Sequence, residues 1–177
     1  LATSGAQERQ GIVQRLDVGT SGLMVLAKGE RAYSVLKQAF RDRTVKKTYH
    51  ALAQGHPDPA QGTIDTPIAR STKHDYKFTI SADGKHAVTH YKTIELLPSA
   101  ALMEIGLETG RTHQIRVHAA SGLGIPLLGD PVYGRKGSAA RTMLHAAGLV
   151  VPRDGKPTIE AAAPMPADFT RLGFADG

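Results

Sequence analysis

Apolar residues recur along the chain with two different periods, and the change between them predicts a mixed architecture. Within residues 30–43, Tyr33, Leu36 and Phe40 stand three and four apart, the spacing of one face of an amphipathic helix. Over residues 45–54 the period shortens to two, with Val45, Lys47, Tyr49, Ala51 and Ala53 on one face of a strand. Residues 101–107, carrying Leu102, Ile105 and Leu107, predict another buried strand. Two shorter apolar runs, Ile12-Val13 and residues 23–27, are bounded by glycine and predict a pair of buried strands near the start. Residues 55–62 are turn-forming, residues 63–69 a short strand candidate, and residues 70–75 a basic loop. Residues 78–81 and 87–97 flank an Asp83-Gly84 step and predict a hairpin. A last hairpin is expected over residues 150–161 around Asp154-Gly155, followed by a short helix near Asp168. No repeat, low-complexity tract or linker breaks the pattern. The fold class that follows is α+β, one domain over residues 1–177, with a mainly antiparallel sheet.

Charge and composition narrow the partner. Twenty-two Lys and Arg against 16 Asp and Glu give a formal charge of +6 and a pI near 9.7, a balance that favours a polyanion. The absence of cysteine excludes disulfides and thiolate metal or redox sites. No apolar run approaches the roughly 18 residues that a membrane span requires. A cytoplasmic protein without a membrane partner is the expectation.

Candidate chemistry concentrates in two segments. The link between the first two apolar runs carries Arg15, Asp17, Thr20 and Ser21 among glycines, putting a carboxylate on a small-residue loop held by strands. About a hundred residues later, residues 108–120 read Glu-Thr-Gly-Arg-Thr-His-Gln-Ile-Arg-Val-His-Ala-Ala. Two arginines, two histidines and a glutamine within eight residues, flanked by expected core, predict a packed polar site. Thr112 is the expected cap of a helix that carries His113, Gln114, Arg116 and His118, with Thr112, Ile115 and Ala119 on one face.

Together these segments resemble the pseudouridine synthases, in the branch that modifies large-subunit ribosomal RNA and some transfer RNA. The family's His-Arg-Leu-Asp motif and its Thr-Ser-Gly turn correspond to Gln14-Arg15-Leu16-Asp17 and Thr20-Ser21-Gly22. Its Gly-Arg-Thr-His-Gln-Ile-Arg-Val-His motif runs unbroken from Gly110 to His118. Lys47-Thr48-Tyr49-His50-Ala51, Gly129-Asp130-Pro131-Val132-Tyr133-Gly134 and Leu144-His145-Ala146 match three further motifs in order. The resemblance implies a bent mixed sheet with an RNA cleft across its middle. Only residues 1–10 precede the segment from Gly11 that carries the first motif, so the resemblance also implies N-terminal strands that this sequence lacks. Gln14 departs from the family's histidine and replaces a titratable group by an amide that both donates and accepts.

The roles that the resemblance implies fall on few residues. Asp17 is the carboxylate that isomerises uridine to pseudouridine without a cofactor or metal. Arg116 is its cationic partner, Tyr49 stacks on the base and removes the C5 proton, and Leu144 walls the uracil pocket. Arg111 is the rival partner, better suited to phosphate, and Arg15 a structural or phosphate contact. His113 and Gln114 either position RNA or are satisfied structural groups. Lys46, Lys47, Arg70, Lys73, Lys77 and Lys85 are candidate phosphate contacts, and residues 135–141 a loop for variable RNA contact. The partner is RNA, ribosomal first and transfer RNA second, and the default assembly is a monomer. A catalytically idle RNA-binding module of the same fold is the alternative. A metal-dependent hydrolase using His86 and His90, or His113 and His118, fits poorly, because neither spacing gathers ligands and no Glu or Cys completes a shell.

Overall fold

A computed structural model describes residues 1–5 and 10–171. Its elements in chain order are β1 (Ser21–Gly22), α1 (Glu30–Arg41), β2 (Lys46–Ala53), β3 (Gln61–Asp65), β4 (Ile68–Arg70), β5 (Phe78–Ile80), β6 (Val88–Leu96) and β7 (Ala101–Leu107). Then come α2 (Gln114–Val117), continued by a π-helical turn (His118–Gly122), and β8 (Leu144–Arg153), β9 (Lys156–Ala162) and α3 (Ala167–Thr170). The main sheet has seven strands in the order β1-β8-β2-β7-β6-β3, with β9 also paired to β8. Every pair is antiparallel except β1 with β8. Ser21 and Gly22 pair with His145 and Ala146, and β9 takes β8 from Gly148 onward, so the two share one edge of that strand. Among the described residues no helix is long and apolar enough to cross a membrane.

The period-two pattern of β2 explains its place between β7 and β8. Tyr49, Ala51 and Ala53 join Met103, Ile105, Leu144 and Ala146 in one cluster, closed by Ile115 and Ala119 from α2 and its π-turn. Small alanines on the strands let those helical turns approach closely. On the other face Leu52, Leu102 and Met143 bury Phe169 of α3 completely. The amphipathic α1 turns Leu36, Tyr33 and Phe40 onto Val13, Val45, Leu149 and Val151. These contacts set α1 beside the start of β2 and the end of β8, and α2 over the middle of β2 beside Leu144.

Three expectations change. The runs at Ile12-Val13 and residues 23–27 are not a pair of full strands. They meet through one bridge, Ile12 to Leu26, and through the Ala27 N–H donating to the Gly11 carbonyl at 2.8 Å. Leu23, Val25 and Ala27 face the α1 cluster while Met24 and Leu26 are exposed, so the run is half-buried. The second change is at Asp83-Gly84. The Lys85 N–H and carbonyl exchange hydrogen bonds with Ile68 at 2.9 Å, so the turn delivers the chain to β4. β5 pairs with β4, and β6 pairs with β3 and β7. Finally, α2 begins one residue later than expected. His113, at φ +58°, occupies the cap position, and Thr112 does not cap the helix.

Candidate active site

Asp17 lies on the loop that leads into β1, and a close backbone approach fixes that loop. The Gly22 φ of +108° and the Ala146 carbonyl, 2.1 Å from where a Cβ would stand, admit only glycine. The Leu23 N–H then donates to the same carbonyl at 2.9 Å. The Thr20 N–H closes a turn onto the Asp17 carbonyl at 3.0 Å. Across the loop, the Gln14 side chain is buried and its Oε1 accepts the Val25 N–H at 3.1 Å, tying the limb before Asp17 to the limb after it.

The turn of α2 brings Arg116 to this carboxylate. Arg116 Nη1 stands 3.6 Å from Asp17 Oδ2. The rest of the guanidinium is held from behind, where Nε and Nη2 each donate to the carboxylate of Asp130 at 2.9 Å. Asp130 is fully buried and also accepts the Val132 and Tyr133 N–H groups at Oδ1, 3.0 and 3.1 Å away. Burial alone would raise the Asp130 pKa. The hydrogen bonds from Arg116, Tyr133 and Val132 and the guanidinium charge outweigh it and hold the carboxyl below its ordinary value. Burial likewise opposes the charge on Arg116, and the hydrogen bonds and charges of Asp130 and Asp17 more than restore it. The Tyr133 ring lies 5.2 Å from the guanidinium and adds a cation–π contact. The result is a permanently charged cation, bidentate to one carboxylate and presenting its free edge to another.

Tyr49 stands in the core of β2 beside this pair. Its phenol pKa is pushed up to about 12, first by burial and then by the charge of Asp17. Asp17, Tyr49, Leu144, Ile115 and Leu16 line one cleft of about 820 Å³ that runs from α1 to the loop of residues 108–112. Its cationic wall consists of Arg15, Lys37, Arg41, Arg43, Lys47 and Arg111. Burial lowers the Lys47 pKa, and the charges of Arg111 and Arg43 lower it further, so the cations are close enough to repel one another. Among the described residues none of Lys47, Arg43 and Arg111 forms an ion pair with a carboxylate. Such a wall is suited to an anion that arrives from outside.

The expected site residues therefore divide. Asp17, Arg116, Tyr49 and Leu144 come together, and Arg15 and Arg111 line the same cleft. Gln114 borders the cleft, but its amide is saturated by the protein. Oε1 accepts from the Thr109 hydroxyl and the Arg111 N–H, and Nε2 donates to the Val88 carbonyl and Thr89 Oγ1, at 2.7 to 3.0 Å. It braces the loop of residues 109–111. The His113 Nδ1 lies 2.8 Å from the Tyr133 hydroxyl, in hydrogen-bond contact, and its ring packs edge-on against Phe78 and Tyr133. It supports the Arg116 side from outside the cleft wall. Of the six basic residues proposed for phosphate, only Lys47 lines the cleft. Lys37, Arg41 and Arg43 also line it and were not among the expected residues, although the first two lie on the amphipathic α1. Asp130 was also missed as a partner. The signal available for it was an acidic residue inside a glycine-bounded turn. Among the described residues no group of three His, Asp or Glu is placed to hold a metal ion.

Comparison with known proteins gives a consistent result. A family model described as RNA pseudouridylate synthase matches residues 2–121. The chain is 54% identical over 177 residues to an uncharacterised RNA pseudouridine synthase of Mycobacterium bovis, covering 96% of this chain and 57% of that protein. It is 45% identical over 186 residues to the ribosomal large subunit pseudouridine synthase D of Zymomonas mobilis, covering 97% and 58% respectively. The chain thus spans somewhat over half the length of these relatives. Among solved structures it is similar to human RNA pseudouridylate synthase domain containing 1, with a TM-score of 0.78 and 30% identity over 86% of this chain and 68% of that one.

Proposed function

The chain belongs to the RNA pseudouridylate synthase family, and on that premise we propose that it isomerises uridine to pseudouridine in RNA, with Asp17 as the catalytic carboxylate. The observation that carries the reading is the Asp17–Arg116–Asp130 arrangement in a cleft shared with Tyr49. The reaction breaks the bond from C1′ to N1 of uracil and forms one from C1′ to C5. The C5 proton leaves and N1 gains a proton, so atoms balance without a cofactor. A carboxylate that attacks C1′ or takes a ribose proton serves this chemistry much as carboxylates serve glycosidases. Arg116 sets a positive charge 3.6 Å from the Asp17 carboxylate, on the side away from Asp130.

Tyr49 is the wall on which the base stacks, and its phenol passes its own proton to N1 of the uracil and takes the C5 proton in return. At neutral pH its phenol is protonated, with the charge of Asp17 one of the two causes. An ester formed at Asp17 removes that charge and eases the later proton transfer. Leu144 forms the apolar wall of the uracil pocket, and Arg15, Arg111 and Lys47 take the flanking phosphates. His113 and Gln114 act through the loops that they brace. The target uridine must leave its stack, which costs a few kcal/mol and least in a loop or bulge. Ribosomal RNA is the first substrate proposed, supported by the Zymomonas mobilis relative's printed name and by the basic cleft. A monomer acting in the cytoplasm without a cofactor completes the proposal.

The test is release of tritium from C5-labelled uridine in unmodified ribosomal RNA, comparing the intact protein with Asp17→Asn. Release by the wild type and none by the variant supports the reading. No release from ribosomal or transfer RNA with binding intact favours an idle RNA-binding module of the same fold.

A further inference from the structure

The loop that carries Asp17 has few anchors of its own. β1 contributes two residues to the sheet, Val18 is almost fully exposed, and one hydrogen bond closes the turn from Asp17 to Thr20. Besides the Gly22 approach and the Gln14 tie, one further side chain reaches the loop, from the side of the sheet that buries Phe169. Arg141, the last residue of the loop first assigned to RNA contact, turns inward. Its Nη1 donates to the Gly19 carbonyl at 2.7 Å, and its Nη2 to Ser21 Oγ at 3.0 Å. The same Nη1 donates to the Thr142 and Leu144 carbonyls at 3.0 and 3.1 Å. The opposite edge forms a two-pronged ion pair with Asp168 of α3, at 2.6 and 3.1 Å. All five N–H groups of the guanidinium thus have protein acceptors and none is left for RNA.

The Ser21 hydroxyl extends the chain. It lies 2.8 Å from His145 Nδ1, and His145 Nε2 lies 3.2 Å from the Ala163 carbonyl. With Arg141 donating to it, the Ser21 hydroxyl is free to donate to Nδ1, which leaves the proton on Nε2 for Ala163. One guanidinium therefore ties together the Asp17 loop, the strand that presents Leu144 and the short helix that follows β9.

We propose that Arg141, held by Asp168, is a positioning residue that sets the reach of Asp17 toward the sugar against the wall at Leu144. This rests on the synthase reading above. Arg141 touches neither substrate nor reacting atoms. It narrows the range over which the Asp17 loop moves, and a misplacement of about 1 Å can cost roughly a hundredfold in rate. Lysine is not a substitute, because a single ammonium cannot reach carbonyls on two segments while forking onto a carboxylate.

The test compares Arg141→Gln, Arg141→Lys and Asp168→Asn with the wild type in the intact protein. Tritium release is read as separate kcat and KM, and amide exchange is followed across residues 17–23. The expected result is a fall in kcat of roughly ten- to a hundredfold for Arg141→Gln. KM for RNA should stay within about twofold, with faster exchange in the loop and no rescue by lysine. Asp168→Asn should lie between, and the double variant should lose less than the product of the single losses, as expected for two residues acting as one unit. A raised KM with unchanged kcat would overturn the proposal and make Arg141 an RNA contact. Lower thermal stability with kcat unchanged per folded molecule would overturn it as a merely structural effect. A wild type that releases no tritium would overturn the synthase reading and the catalytic consequence together. The exchange data separate that failure from a failure of the clamp, which would show as unchanged exchange in Arg141→Gln.

Discussion

Replacing Asp130 by asparagine tests the electrostatic frame behind Asp17 without removing any proposed reacting group. The native carboxylate takes two hydrogen bonds from Arg116 and two from backbone N–H groups, all within 3.1 Å. Asparagine keeps one oxygen for the backbone and turns an amide N–H₂ toward the guanidinium, where donor meets donor. Breaking a buried ion pair by removing one partner costs about 3–5 kcal/mol. Asp17 remains 3.6 Å from Arg116 and is partly exposed, so some of the charge stays compensated and the expected loss is about 3 kcal/mol. For a chain of this size that lowers Tm by about 6–12 °C. Urea unfolding at pH 7 measures it directly.

The pH dependence gives an independent check on sign. The folded Asp130 pKa lies below its ordinary value, so the ionised carboxylate contributes its full stability above that value. The contribution is lost as pH falls through the folded pKa. The gap between wild type and variant should therefore hold from neutrality to about pH 4–5 and close below that. A loss under about 1 kcal/mol at pH 7, the scale of an exposed pair, would refute the reasoning. So would a gap that widens in acid.

Three further outcomes are expected. Gly22→Ala should abolish product formation and lower stability by more than about 1 kcal/mol, since a Cβ at φ +108° would meet the Ala146 carbonyl; thermal unfolding and tritium release are the readouts, and a stable, active variant would contradict the account of the loop. Tyr49→Phe should keep the stacking wall, alter stability by less than about 1 kcal/mol and leave RNA affinity within twofold, while product formation falls by at least about a hundredfold. Replacing Lys47 and Arg111 by glutamine should flatten the plot of log affinity against log salt by about 0.7 per lost single-strand phosphate contact, about 1.4 in all; an unchanged slope would remove both from the interface.

Much of this arrangement was legible where periodicity and chemistry coincide. The three- and four-residue spacing of Tyr33, Leu36 and Phe40 marks α1, the alternation through Tyr49 marks β2, and Asp154-Gly155 marks the turn between β8 and β9. The match of the late motif to a known family paired Arg116 with Asp17, ninety-nine positions earlier, a contact that no local pattern encodes. What stayed hidden depends on where a side chain points. Arg141 belongs to a segment rich in Arg, Lys and Ser that reads as a solvated loop, yet its carbonyl lies 1.8 Å from where a Cβ on Gly129 would stand, at a φ of +77°. That close approach holds its backbone against Gly129, while hydrogen bonds to Gly19, Ser21 and Asp168 hold the side chain inward. Gln114 reads as a polar contact until its four hydrogen bonds are counted. The strand pairing of residues 78–80 escaped because an Asp-Gly turn specifies a reversal and says nothing of which strand receives it.

The most direct test of the central claim is nucleoside analysis of unmodified ribosomal RNA after incubation with the intact protein. Pseudouridine and uridine have the same mass, and chromatography separates them after complete digestion. The account predicts pseudouridine approaching a whole number per RNA molecule at completion, with uridine falling by the same amount and Asp17→Asn producing none. Bound RNA whose uridine content never changes, with wild type and Asp17→Asn indistinguishable, would contradict it.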